Sequence, residues 1–179
     1  MSNLLVRQIE SRRDVETFLR TPWSIYADDP HWIPPLLSDL RERLTPAKNP
    51  YFEHAEAAYF VAQRDGETVG RISAQVCQLV QEHHGAGTGH FGFFECEDSQ
   101  QTTDSLFAAV EQWLLTKGMH CAVGPFNLSI NDEIGVLVDG VHRPPHAFMG
   151  HHRPYYDARI LGAGLKKERD VYSYYQDIT

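Results

Sequence analysis

Apolar residues along this chain switch between a period of two and a period of three to four, and the switches mark its elements. The most informative stretch runs from His90 to Phe126, where HFGFFECE, DSQQT, TDSLFAAVEQWLLTKG and MHCAVGPF read as strand, loop, helix and strand. Leu106, Phe107, Val110, Trp113 and Leu114 recur at three and four, which predicts a helix with one buried stripe. Asp104 sits in its first turn, Lys117 in its last, and Gly118 follows as a stop. A strand–helix–strand unit of this size predicts parallel strands with a right-handed crossover. The loop before the helix then lies at the strand's carboxyl end, where open α/β sheets bind ligands.

Upstream, Leu4 to Ile9 reads as a strand, and Ser11 with Asp14 resembles a capping box opening a helix with Val15, Phe18 and Leu19 on one side. A proline- and aromatic-rich stretch follows, then LLSDLRERL, a helix that Thr45-Pro46 stops. Glu56–Arg64 and Glu67–Cys77 flank Asp65-Gly66, a hairpin signal, and Arg71, Ser73 and Gln75 alternate with Ile72, Ala74 and Val76 as in a half-buried strand. The glycines of QEHHGAGTGH predict a hairpin loop, since a phosphate-binding loop should lead into a helix and a strand follows here. PFNLSINDEIGVLVDG alternates again, Tyr155–Ala163 reads as a short helix stopped by Gly164, and Leu165 to Gln176 as a last strand. The sum is about six or seven strands and about four helices in a mixed α/β sheet.

At 179 residues the chain is expected to form one domain, 1–179, with a single core. A net charge of −8 with dispersed acids argues against nucleic acid and anionic membranes as partners. No apolar run approaches the ~20 residues of a membrane span, and the N-terminus lacks the apolar core of a signal peptide. Three widely spaced cysteines fit reduced thiols, so a cytoplasmic protein is expected.

Several residues invite chemistry. Asn127, Ser129 and Asn131 share one face and, with Asp132 and Glu133, form either a rail for a polar substrate or the wet face of an edge hairpin. Glu95, ending the central strand, is either a base or a solvated loop carboxylate. Trp23, Tyr26 and Trp32 read as packing residues rather than a substrate mouth. His142, His146, His151 and His152 do not form a metal motif: Pro144 and Pro145 forbid a helix between the first two, and HExxH is absent.

In this order the elements resemble the GNAT superfamily of acyl-CoA-dependent N-acyltransferases. The hairpin FVAQRDGETVGRISAQV is similar to the family's second and third strands, the His90–Phe126 unit to its fourth strand, third helix and fifth strand, and YYDARILGAGLKKERDVYSYY to its closing helix and strands. FGFFECED and GPFNLSINDEIG resemble a bacterial branch whose members often carry a second, C-terminal half. The resemblance implies a mixed, largely antiparallel sheet with a parallel central unit and helices on both faces. It implies acetyl-CoA or another acyl-CoA lying where the fourth and fifth strands splay. Phe93 and Phe94 would meet the pantetheine, while Glu97, Ser99, Gln100, Gln101 and Thr102 would meet the pyrophosphate. It also implies a small amine as substrate, held by Asn127, Ser129, Asn131 and Glu133, with Glu95 as base and Tyr156 as acid for the departing thiolate. The assembly is left open, a homodimer included. The sequence departs from the family at the pyrophosphate loop, where Glu95–Thr102 has no glycine and three acids. That departure carries the alternative, a GNAT-fold domain that binds a ligand or partner without CoA.

Overall fold

Ser11 starts the first helix as the pattern predicts: its hydroxyl accepts from the Asp14 amide and the Asp14 carboxylate accepts from the Ser11 amide. The computed structural model describes residues 3–174, 176 and 177. In chain order the elements are β1 (Leu4–Gln8), α1 (Arg12–Ile25), α2 (Leu37–Arg43), β2 (Ala55–Arg64), β3 (Glu67–Cys77), α3 (Gln78–His83), β4 (Thr88–Cys96), α4 (Gln100–Thr116), β5 (Cys121–Val123) and α5 (Tyr156–Gly162). The strands lie in the order β1-β2-β3-β4-β5, antiparallel except for the parallel pair β4–β5.

Two apolar clusters use alternate residues of the same strands, as the pleat requires. Phe60, Ile72, Phe91 and Phe94 pack with Leu106, Val110 and Leu114 of α4 and Tyr156 and Ile160 of α5. Val61 and Phe93 pack with Phe18 and Leu19 of α1 and Leu40 of α2. Helices therefore cover both faces of the sheet. The row Arg71, Ser73 and Gln75, expected on a half-exposed face, is buried under α1 and the chain after β5. Ser73 donates to Gln75 Oε1 at 3.0 Å and Gln75 donates to the Phe126 carbonyl at 2.7 Å, which satisfies the burial of polar groups.

β4 is irregular where it matters. Phe93 has φ +48°, and the β3–β4 register shifts between Arg71/Ser73, a bulge that inserts one residue. The extra residue switches parity, so Phe91, Phe94 and Cys96 share the α4 face while Phe93 turns toward α1. β4 and β5 pair over Thr88↔Cys121, Gly89↔Ala122 and His90↔Val123 only, and then part. The chain after β5 folds back against β4 so closely that a Cβ on Gly92 would collide with the Phe126 carbonyl.

Three sequence expectations are corrected. The stretch 81–90 does connect antiparallel β3 and β4, but the connection opens with a short helix, Gln78–His83, that the hairpin reading left out, and Gln81 fastens the glycine turn behind it by accepting from the Gly87 amide and donating to the Thr88 carbonyl. The Asn127–Gly135 alternation gives a turn with one isolated bridge, Phe126↔Ile134, because Leu128 at φ +82° breaks the extended run. No strand forms among the described residues of 165–177; Val171, Tyr172 and Tyr174 are exposed, and Tyr175 lies outside the described residues. The sheet has five strands for these reasons.

Candidate active site at the end of β4

Pro22 lies inside α1 and has no amide proton to donate, so the Phe18 carbonyl four residues earlier loses its helical partner. The Arg71 guanidinium takes that carbonyl at 3.0 Å, with its Cζ 5.0 Å above the Phe18 ring. Arg71 is 5% exposed. Its Nη2 stands 3.7 Å from Oε1 of Glu95, the next-to-last residue of β4, whose side chain is 12% exposed. Glu95 is thus not the solvated loop carboxylate that the sequence allowed, but half of a buried ion pair.

The other carboxylate oxygen of Glu95 accepts two phenol hydrogen bonds, from Tyr26 at 2.6 Å and Tyr156 at 2.7 Å. Both phenols are almost wholly buried. Tyr26 ends α1, stacks on Trp32, and has the His151 carbonyl 2.9 Å from its hydroxyl. Tyr156 opens α5 and accepts from the Cys96 amide, which fixes the direction in which its own proton points. Burial pushes the Glu95 carboxyl above its usual range, with Arg71 and the two phenols opposing. Burial, and then the Glu95 charge, push Tyr26 and Tyr156 well above the ordinary phenol range.

Glu95 opens into a narrow polar cleft of about 30 Å³ where β4 and β5 part, lined by Phe93, Phe94, Asn127, Glu133, His151 and His152 among others. Asn127 joins its walls: its Oδ1 accepts from the Phe93 amide at 2.6 Å and its Nδ2 donates to Glu133 at 2.8 Å. Ser129 and Asn131 lie off the cleft, where the Ser129 hydroxyl accepts from the Asn131 amide. The remaining sequence candidates form their own network at the start of α4. Glu97 accepts from Arg64 at 2.9 Å and from Thr102 at 2.6 Å, Ser99 caps the helix, and Arg64 also donates to Gln101. Gln100 donates to the Arg159 carbonyl, and Asp98 pairs with Arg159 at 2.7 Å. Beside Glu95 the structure also brings Tyr26, read from the sequence as a packing residue, His151, weighed there only as a metal ligand, and Arg71, read only as part of an alternation; Pro22 inside a helix was the signal for Arg71. Among the described residues no group of three His, Cys, Asp or Glu could hold a metal ion.

His152 faces the cleft as a neutral ring. Its Nδ1 accepts from the Leu137 amide at 3.0 Å, and burial, then the neighbouring His151, push its pKa down to about 4. A depressed folded value means that stability present above pH ~6.5 is lost as pH falls through about 4. The loss should approach about 3 kcal/mol. Urea unfolding at pH 7 and pH 4.5 checks this: His152→Gln should remove most of the difference, and an unchanged difference contradicts the assignment.

No family model matches the chain. A bacterial ceramide synthase of Caulobacter vibrioides is 42% identical over 179 residues, covering 99% of this chain and 47% of the relative. Protein YghO of Escherichia coli is 41% identical over 175 residues, covering 98% and 45%. The chain therefore spans about half the length of the curated relatives it matches. Among solved structures, AAC(6')-Iy in complex with a CoA-containing bisubstrate analogue superposes with a TM-score of 0.57 at 14% identity, over 98% of this chain and 99% of that one. An aminoglycoside acetyltransferase from a soil metagenomic sample, in complex with trehalose, gives 0.55 at 14% identity, over 98% and 97%. No described helix is long and apolar enough to cross a membrane. The parted β4–β5 pair, the helix that joins it and these superpositions make this chain a protein of the GNAT fold.

Proposed function

We propose that this chain is an N-acyltransferase that moves an acyl group from acyl-CoA to the amine of a long-chain amino alcohol. The observation that carries it is Glu95, a buried carboxylate of raised basicity that lines the cleft where β4 leaves β5. Acyl-CoA, a substrate in this reading, supplies the thioester carbon and the sulfur leaving group. Glu95 takes a proton from the attacking nitrogen and returns it to the departing sulfur, so one carboxylate serves as base and then acid. Tyr156 already donates its proton to Glu95, so it acts here by holding the carboxylate. The acceptor class follows from the relative named a ceramide synthase, because a ceramide is an N-acylated long-chain amino alcohol.

The acidic loop is less hostile to a diphosphate than its sequence suggests. Glu97 and Asp98 are each paired with an arginine, and the first amides of α4, at Gln100 and Gln101, have no intrahelical partner. One observation favours the alternative, a GNAT-fold binding domain without CoA: Asn127 occupies the Phe93 amide that a pantetheine arm would use. Thermal unfolding with and without a long-chain acyl-CoA separates the two. A ligand at ~100 times its dissociation constant adds about 2.7 kcal/mol, a shift of several degrees. The acyltransferase reading expects that shift. No shift with any acyl-CoA at millimolar concentration rejects it in favour of the alternative.

A further inference from the structure

The cleft holds a second group equipped to handle a proton. His151 lines the same cleft as Glu95 and is 7% exposed. Its Nε2 stands 2.9 Å from Oδ2 of Asp29, in the segment between α1 and α2. An ionised carboxylate only accepts, so the Nε2 proton stays between the two and Nδ1 keeps a lone pair. Nδ1 is buried and has no hydrogen-bond partner. A buried polar atom left unpaired calls for a reason, and here the cleft supplies one. Asp29 is itself held by the His31 amide at 2.9 Å, with Arg153 at 4.0 Å. Arg153 is anchored in turn by the Ile25 carbonyl and Asp28. The ring is thus fixed through Asp29, and its Nδ1 is left unpartnered and buried in a residue that lines the cleft.

The chemistry of an amine asks for a group of this kind. An alkyl ammonium near neutral pH must lose one proton before it can attack and a second afterwards. The second goes through Glu95 to sulfur in the reading above, which leaves the first without an acceptor. We propose that His151 Nδ1 receives the first proton, converting the bound ammonium to the nucleophilic amine while Asp29 stabilises the imidazolium, which then releases the proton to solvent. The balance is one ammonium and one thioester giving one amide, one thiol and one proton. The groups around the ring are Asp29 behind it, Arg153 beyond Asp29, the Tyr26 ring 5.7 Å away, His152 beside it, and Glu95 across the Tyr26 hydroxyl. This inference rests on the acyltransferase reading for its substrate, but not for its geometry.

His151→Gln is the informative variant, because a glutamine amide can still donate to Asp29 while the Nδ1 lone pair is gone. With 2-aminodecan-1-ol as the amine probe, kcat/KM at pH 7 should fall about a hundredfold or more. The deficit should shrink to within about tenfold near pH 9.5, where the amine arrives neutral. A deficit equal at both pH values marks a structural role and overturns the proposal, as does a pH 7 value within about twofold of wild type. A second measurement uses the unaltered protein: ring-nitrogen NMR should show the His151 proton on Nε2 at pH 7, and the Nδ1 signal should move on adding the probe. A proton on Nδ1, or a signal indifferent to the probe, also overturns it. If the NMR result holds while wild type transfers no acyl group to any amine, the acyltransferase reading falls and the amine site at His151 stands.

Discussion

Glu95→Gln is expected to lower acyl transfer by about a hundredfold to ten-thousandfold, the range that a positioned proton acceptor contributes. The substitution is conservative in shape. A glutamine carbonyl can still accept from Tyr26 and Tyr156, so the hydrogen bonds at 2.6 and 2.7 Å keep an acceptor. What disappears is the charge and the basicity that burial raises. The loss should appear in kcat more than in KM, since the proton moves during reaction and not during binding. Steady-state rates of thiol release with saturating acyl-CoA measure it directly. A variant retaining more than about a tenth of wild-type turnover would remove Glu95 from the chemistry.

Arg71→Met is expected to cost about 3–5 kcal/mol of stability, because it strands the Glu95 carboxylate in the interior. Arg71 is the cation facing Glu95, with Nη2 at 3.7 Å, and it also fills the carbonyl that Pro22 leaves open. The pH dependence has a definite sign. Glu95 has a raised folded value, so the folded state binds its proton more tightly than the unfolded chain does. Its contribution therefore favours folding at low pH and declines as pH rises from about 4.3 through the folded value. Without Arg71 that window widens upward, and the variant's deficit in urea should be larger at pH 8 than at pH 5. Combining Arg71→Met with Glu95→Gln should recover much of the stability and none of the activity, since neither charge is then left alone. A deficit that does not change with pH would mean that packing, not charge, is what Arg71 provides.

The periodic parts of this fold were legible in the sequence, and the site was legible only at its edges. The α4 stripe, the Asp65-Gly66 hairpin and the Ser11 cap each depend on residues a few positions apart, and each stands as the pattern implies. Glu95 and Tyr156 could be named because they end and begin recognisable elements. Their partners could not. Arg71 alternates with apolar neighbours like any surface residue, and only the distant Pro22, opening the Phe18 carbonyl, gives its burial a purpose. Tyr26 and His151 lie 125 positions apart and meet through one hydroxyl, a juxtaposition no local period encodes. The tail fails for a similar reason: Val171, Tyr172 and Tyr174 have strand-like side chains, but β5 is three residues long and offers them little edge to join.

The most direct test incubates the protein with a long-chain acyl-CoA and a long-chain 2-amino alcohol, and counts free thiol and amide product together. The account predicts one thiol for each amide, both dependent on the amine and both suppressed in Glu95→Gln. Thiol released without amide, or neither product with wild-type protein that binds the acyl-CoA, would contradict it.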